Sequence, residues 1–356
     1  MKNERVSSLE LLRIICMLGI IAHHCVIHGE IYLSTNINNK MISYFIAPAG
    51  KIGFVAFIAL SMYFLVDAKF SFEKFFKIWF QTFFYSVAIT VITLIFFKGG
   101  VVEDIGLKNI VTTALPILGN SHGFAAIYMA FYLLLPFIQF LGNKLNKIQA
   151  RYLVILLFFI QIVVQFITST RDTYSQLLFF ILCYFVMLNL KKYPINIKIN
   201  NLFLLSSMIF CWILYTMQYY IGYEKYKFVL KFIVVGESNP LCIIAGFCLF
   251  YLFRNIKIKQ SNGINRIAST TFGILLIHDH NVFRPYLWQN IINTKKWSSS
   301  SYFLLYVMLS TILIFLICMM IDLARKYILE KKLFDNRYIK TQIKRIETYI
   351  NFNNLK

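Results

Sequence analysis

The sequence predicts an all-α, polytopic membrane protein with about ten transmembrane helices and both termini in the cytoplasm. Of its 356 residues, 59% are hydrophobic and only 14% are charged, and the mean hydropathy is +0.66. Soluble domains are about half apolar, and about a quarter of their residues are charged. Hydrophobic runs long enough to cross a hydrocarbon core of about 30 Å recur along the chain. A multi-pass membrane protein follows from these observations.

The predicted spans are apolar runs of about 17–25 residues, the length that an α-helix needs to cross a bilayer. Ten of them are found, within residues 9–29, 44–66, 78–97, 123–142, 152–170, 174–190, 201–222, 238–253, 267–289 and 302–323.

The distribution of basic residues predicts the orientation. With the N-terminus inside, about 24 of the 36 lysines and arginines lie in the cytoplasm and about 11 outside, which is the bias expected of cytoplasmic loops. The net charge of +21 is therefore explained by topology, and we predict no nucleic-acid partner. The seven cysteines show no Cys-x-x-Cys spacing and are interpreted as small apolar residues.

Two regions are predicted. Residues 1–325 form a transmembrane domain, and residues 326–356 form a basic, amphipathic cytoplasmic tail on the anionic inner leaflet. Segment 71–77 is expected at the same interface.

The first hydrophobic run contains two residues that are costly to bury in a membrane, Arg13 and His24. They are about three helical turns apart, so they lie on nearly the same helix face, about 16 Å from each other along the axis. Glu10 and His28 fall close to that face, whereas His23 points about 100° away. A charge at the centre of a membrane helix costs at least about 2.5–3.5 kcal/mol. This polar stripe is therefore a candidate functional site.

The stripe suits proton transfer or acyl transfer. A neutral imidazole at His24 acts either as a general base on a hydroxyl or as a nucleophile that holds an acyl group. Arg13 binds a phosphate or pyrophosphate, or it pairs with Glu10. In the structural alternative, Arg13 extends to the cytoplasmic interface and His24 is a hydrogen-bonded packing residue.

A second histidine group lies in the ninth run, where Asp279 and His280 follow His278. His278 either lines the same cavity as His24 or packs between helices. On a continuous helix, Asp279 and His280 point elsewhere. The i,i+4 spacing of His24 and His28 also permits a metal site. Because no carboxylate or thiolate accompanies them at ligand spacing, we predict no metal.

Several stretches occur together in the order that one enzyme family shows. An arginine, ten residues and a histidine span Arg13 to His24, and Glu10 precedes the Leu-Leu-Arg step. The others are residues 53–64 with Ser61 and Tyr63, 128–136 ending in Leu-Leu-Pro, 237–254 beginning with Glu237, and 268–278 ending in His278. The chain thereby resembles the acyltransferase 3 family along nearly its whole length. It departs from the family pattern at Met62, which replaces a glycine, and after His122, where an expected tryptophan is absent.

The resemblance implies an integral O-acyltransferase of the bacterial cytoplasmic membrane. Such an enzyme moves acetyl from cytoplasmic acetyl-CoA to hydroxyls of a cell-surface polysaccharide or of its lipid-linked precursor. Its partners are acyl-CoA, the glycan and membrane lipids, with no metal. The implied catalytic residues are His24, Arg13 and Glu10, and the implied cavity-lining residues are His278, Ser61, Tyr63, His122 and Glu237.

Two alternatives come from another functional class, because buried charges and histidines also mark transport paths. One is a transporter or exporter of polysaccharide units without covalent chemistry. The other is a metal or proton transporter. The sequence leaves open whether the acyl group is acetyl or succinyl.

Overall fold

The computed structural model describes residues 6–96, 123–168, 173–194, 199–225 and 239–350, without the side chains of 162–168 and 173–175. All regular secondary structure in these ranges is helical. The first half contains α1 (Ser7–Ile27), α2 (Ile37–Ile46), α3 (Pro48–Leu65), α4 (Phe72–Phe96), α5 (Gly123–Lys144), α6 (Lys147–Thr168) and α7 (Thr173–Lys192). The second half contains α8 (Asn201–Tyr220), α9 (Pro240–Asn255), α10 (Asn262–Ala268), α11 (Thr271–His278), α12 (Phe283–Tyr286), α13 (Phe303–Arg325), α14 (Lys331–Asp335) and α15 (Arg337–Ile350). Short 3-10 and π turns extend or connect several of these helices.

Six helices of the described ranges are long and apolar enough to cross a membrane. They cover Ser7–Leu33, Ile37–Leu65, Phe72–Phe96, Gly123–Lys144, Asn201–Lys225 and Phe303–Asp335, and Pro240–Asn255 is a shorter apolar helix. The multi-pass, all-α architecture agrees with the sequence analysis. The count of about ten spans and the cytoplasmic termini stay predictions.

The ninth predicted run, 267–289, is not one continuous helix. It is divided among α10, α11 and α12, and α11 ends at His278. Asp279, with φ −105° and ψ 17°, lies outside helical geometry. This break changes the direction of the residues that follow His278, with consequences for the candidate site.

Two central helices, α1 and α3, pack antiparallel and very closely. A Cβ atom on Gly53 would lie 2.9 Å from the carbonyl oxygen of Cys16, and one on Gly50 would overlap the side chain of His23. Glycine is therefore required where the two backbones approach. Around this pair, α9 and α7 pack on α3, and α13, α10 and α11 pack on α1.

A buried polar cluster fixes α11 between α4 and α13. The fully buried carboxylate of Asp322 accepts hydrogen bonds from Gln81 (2.9 Å), Tyr85 (2.9 Å) and Arg325 (3.0 Å). The same carboxylate lies over Gly273, where any Cβ atom would overlap it. Since His278 is the last residue of α11, this cluster holds the helix that carries it.

The C-terminal helix α15 packs back on the start of α4. Ile343 of α15 joins a small apolar cluster with Phe72 and Phe334. The Glu347 carboxylate accepts hydrogen bonds from the backbone N–H of Phe72 (2.9 Å) and from the hydroxyl of Ser71 (3.3 Å). It thus satisfies a free N–H at a helix start, where anions are favoured. The tail and segment 71–77 therefore contact each other, and their location at the membrane interface stays a prediction.

Candidate functional site

The centre of the candidate site is a contact between two histidines of different helices. Nδ1 of His24, near the end of α1, lies 3.1 Å from Nε2 of His278. Nδ1 of His278 donates to the carbonyl oxygen of Ile274 at 2.7 Å, one turn earlier in α11. His278 is fully buried, and its ring meets the buried indole of Trp288 edge to face with centroids 6.4 Å apart.

These partners assign the tautomers of both rings. A carbonyl only accepts, so Nδ1 of His278 carries the proton and the other nitrogen of a neutral ring, Nε2, is an acceptor. Nδ1 of His24 therefore donates to it. The remaining nitrogen of His24, Nε2, then has a free lone pair. The geometry thus leaves His24 with one nitrogen suited to act as a base or as a nucleophile.

A carboxylate also lies beside His24, which the sequence analysis did not expect. Oδ1 of Asp279 is 3.7 Å from Nδ1 of His24 and accepts a hydrogen bond from Arg284 at 3.1 Å. The prediction that Asp279 faces away from the site is wrong, because α11 ends at His278 and the helical rotation per residue no longer applies. His280, which is fully buried, accepts a hydrogen bond through Nδ1 from the backbone N–H of Val282 at 3.3 Å.

Solvent exposure distinguishes the side chains around His24. The side chains of His24, Asp279 and Arg284 are 13%, 29% and 31% exposed, whereas His278 is inaccessible. A ligand can therefore reach His24, whereas the inaccessible His278 holds the ring of His24 through their hydrogen bond.

Donor atoms of His24, His28 and Asp279 all lie within 4.8 Å of one another and could hold a metal ion. The argument that no carboxylate accompanies these histidines is therefore wrong, for the same reason as above. The guanidinium of Arg284 already occupies Asp279 and opposes a second cation there. The absence of a metal stays a prediction.

The other end of the stripe contains Arg13 and Glu10. Their side chains form an ion pair between Nε and Oε2 at 3.8 Å, without a hydrogen bond between these atoms. The guanidinium carbon of Arg13 lies 5.8 Å from the ring centroid of Phe57 in α3. This i−3 pairing is one of the two alternatives that the sequence left open for Arg13, and in it the carboxylate is nearly buried and the guanidinium is partly exposed.

Ser61 and Tyr63 lie toward this Arg13 end, away from His24. In the antiparallel pair, Phe57 faces Arg13 and Gly50 faces His23, so residues after Phe57 are farther from the histidines. The hydroxyl of Ser61 donates to the carbonyl of Phe57 at 2.9 Å. The ring of Tyr63 lies under the ammonium of Lys191, with Nζ 4.0 Å from its centroid. His122 and Glu237 lie outside the described residues.

The family of the chain follows from the comparison with protein-family profiles. Residues 6–319 match the acyltransferase 3 family, described as an acyltransferase domain. The chain belongs to the acyltransferase 3 family. The match extends from the start of α1 into α13 and includes both histidines of the central contact. No curated protein and no solved structure matches the chain.

Membership makes this protein a membrane acyltransferase, and the alternative of a transporter without acyl chemistry is not favoured. The two residues that sequence reasoning missed in this acyltransferase are Asp279 and Arg284. Asn281 and Pro285, shortly after His278, are typical of a helix end. They could have indicated that Asp279 and Arg284 do not continue the helix that carries His278.

Proposed function

We propose that this acyltransferase moves acetyl from cytoplasmic acetyl-CoA to hydroxyl groups of a cell-surface polysaccharide or of its lipid-linked precursor. The hydrogen-bonded pair of His24 and His278 is the observation that carries the proposal, because it leaves Nε2 of His24 as a free base. A base that can reach a substrate is what an O-acyltransferase requires and what a structural histidine does not provide.

In the proposed reaction, Nε2 of His24 removes the proton from the acceptor hydroxyl as its oxygen attacks the thioester carbonyl carbon. A carbon–oxygen bond forms, the carbon–sulfur bond breaks, and His24 returns the proton to the departing thiolate of CoA. In the second form of the proposal, Nε2 itself attacks the thioester and carries the acetyl group to the hydroxyl. In both forms, Nδ1–H of His24 remains directed at His278 and Asp279, which stabilise the positive charge on the ring.

Arg13 has the role of an anchor for the donor. Its guanidinium is tied to Glu10 only through a long ion pair, so its remaining N–H groups suit the phosphates of CoA. The two ends of the stripe are about 16 Å apart along α1. An extended donor that enters from the cytoplasm can therefore contact Arg13 and present its thioester near His24. The proposed location is the bacterial cytoplasmic membrane, where both the donor and the glycan are accessible.

The first test is the acetyl content of the surface polysaccharide, measured by NMR in wild-type cells, a deletion strain and a His24→Gln strain. Loss of the ester signals is expected in both altered strains, with the His24→Gln protein present in the membrane at the wild-type level. His23→Gln is the matched control, because it changes the neighbouring histidine, whose Nδ1 is hydrogen-bonded to the carbonyl oxygen of Ala47. A deletion that lowers polysaccharide export while its acetylation stays unchanged would overturn the proposal.

A second test addresses the donor directly. The purified protein in vesicles is given acetyl-CoA with a labelled acetyl group and a soluble glycan acceptor. Release of free CoA thiol together with the labelled ester is expected from the wild type and not from His24→Gln. Transfer from succinyl-CoA but not from acetyl-CoA would correct the acyl group and leave the site assignment intact.

A further inference from the structure

A large cavity, whose lining includes none of the histidines, opens between the ends of four helices. Its volume is about 1040 Å³, and its lining comes from the start of α6, the end of α7, the start of α8 and the end of α9. Because all four ends line one cavity, they lie on one side of the molecule. The charge bias of the sequence assigns that side to the cytoplasm.

The wall of the cavity has two chemical parts. Apolar side chains of Val154, Ile155 and Val186 form one part, and Arg151 and Arg254 stand at the other. Both arginines are exposed, and Ile155 is 67% exposed on the outer surface of α6. The cavity is thus open at the outer surface of α6, and the predicted topology puts its two arginines near the cytoplasmic headgroups.

Unlike Lys191, neither arginine has an acidic partner among the described residues. Lys191 pairs with Asp67, and Lys192 donates to three carbonyl oxygens at the end of α5. In the described part of the chain, no carboxylate forms an ion pair with Arg151 or Arg254. Segments 141–155, 186–201 and 249–261 contain nine basic residues and no acidic residue. Lys191 is paired with Asp67, and the other basic residues leave these segments with a strong excess of positive charge.

We propose that this cavity binds an anionic phospholipid, with its phosphate between Arg151 and Arg254 and one acyl chain along Val154 and Val186. Planar guanidinium groups bind phosphate oxygens in pairs, and basic pockets between membrane helices are suited to anionic headgroups. The apolar wall favours a lipid over a free phosphate. The inference concerns a site separate from the histidines and does not depend on the proposed reaction.

The test measures how much phosphatidylglycerol the full-length protein retains from vesicles that contain this lipid and phosphatidylcholine, with native mass spectrometry as the readout. Retention by the wild type is expected to fall about thirtyfold in Arg151→Gln/Arg254→Gln, given the contribution of each basic residue at an anionic surface. Lys147→Gln is the matched control, because Lys147 lies one turn before Arg151 on α6 and does not line the cavity. Equal retention by the wild type and the double variant would overturn the proposal, and so would an equal loss in Lys147→Gln.

Two further experiments distinguish a lipid phosphate from the phosphates of coenzyme A and keep the proposal testable if the double arginine variant does not fold. Free coenzyme A added to the vesicles is expected to leave the bound phosphatidylglycerol in place, and its displacement would assign the site to the acyl donor instead. Val186→Trp fills the apolar part and leaves both arginines intact. It is expected to lower lipid retention, and unchanged retention in a folded Val186→Trp protein would overturn the proposal even if the double arginine variant did not fold.

Discussion

Nδ1 of His24 on α1 lies 3.1 Å from Nε2 of His278 at the end of α11, although 254 positions separate them in the sequence. Because Nδ1 of His278 donates to a backbone carbonyl, the contact has a fixed donor and acceptor. One buried histidine thus sets the tautomer of another that a ligand can reach. His278 therefore acts through His24, as a positioning residue.

Replacement of His278 by phenylalanine tests this role. An aromatic ring is kept but the acceptor for Nδ1 of His24 is lost, so the tautomer with a free Nε2 is no longer fixed. We expect the initial rate of acetyl transfer to fall about 100-fold, at the lower end of general-base contributions. Initial rates and the KM for acetyl-CoA are measured at matched protein levels, and the KM is expected to stay unchanged. A rate within about threefold of that of the His23→Gln control would exclude the positioning role, since general-base effects are much larger.

Asp279 and Arg284 are expected to act as one unit. The Asp279 carboxylate lies between His24 at 3.7 Å and Arg284 at 3.1 Å, and we expect it to stabilise positive charge on His24 as the proton is transferred. We expect Asp279→Asn to lower the transfer rate about tenfold. Because Arg284 is expected to act on His24 through this carboxylate, the double variant Asp279→Asn/Arg284→Gln is expected to have the same transfer rate as Asp279→Asn alone. Rates of the two single variants and the double variant form a double-mutant cycle. Strictly additive losses would show that Arg284 acts independently.

The sequence was sufficient for the part of the site that lies on one helix. Within α1, a fixed rotation and rise per residue relate Glu10, Arg13 and His24, and the ion pair that was one of the two alternatives for Arg13 is found at 3.8 Å. The partner His278 was a candidate from the family pattern. Its contact with His24 depends on how α11 packs, which periodicity does not reveal.

The error at Asp279 has a specific physical cause. Rotation of 100° per residue was applied across a position where the helix ends, and the backbone there turns the carboxylate toward His24. The number of membrane spans was predicted from run length alone. Length does not report the breaks that divide residues 267–289 into short helices.

Arg13 and Glu10 allow a test that separates donor binding from structural pairing. Arg13→Gln leaves the nearly buried Glu10 carboxylate without its partner, so both membrane level and activity are expected to fall. The double variant Arg13→Gln/Glu10→Gln has no such charge and is expected to regain its membrane level. Its KM for acetyl-CoA is expected to stay raised about tenfold, the effect of losing one charge-assisted contact with phosphate. A KM restored to the wild-type value in the double variant would reduce Arg13 to a partner of Glu10.

Gly273 is predicted to be essential for the position of α11, because any Cβ atom there overlaps the carboxylate of Asp322. That carboxylate is held by hydrogen bonds from Gln81, Tyr85 and Arg325, so it cannot move without breaking the cluster. Gly273→Ala is therefore expected to destabilise the protein by about 1–3 kcal/mol, as overpacking of a core does.

Gly263→Ala is the control for this change, since the nearest atom to its added Cβ is the Ser261 hydroxyl at 3.8 Å. Thermal unfolding of the purified proteins in detergent is the measurement, together with the transfer rate. Alanine at position 263 is expected to leave the unfolding temperature equal or slightly higher, because alanine is favoured over glycine within a helix. Equal stability of the two variants would show that α11 can shift away from α13. His278 at its end would then owe its position to its contact with His24 and not to the Asp322 cluster.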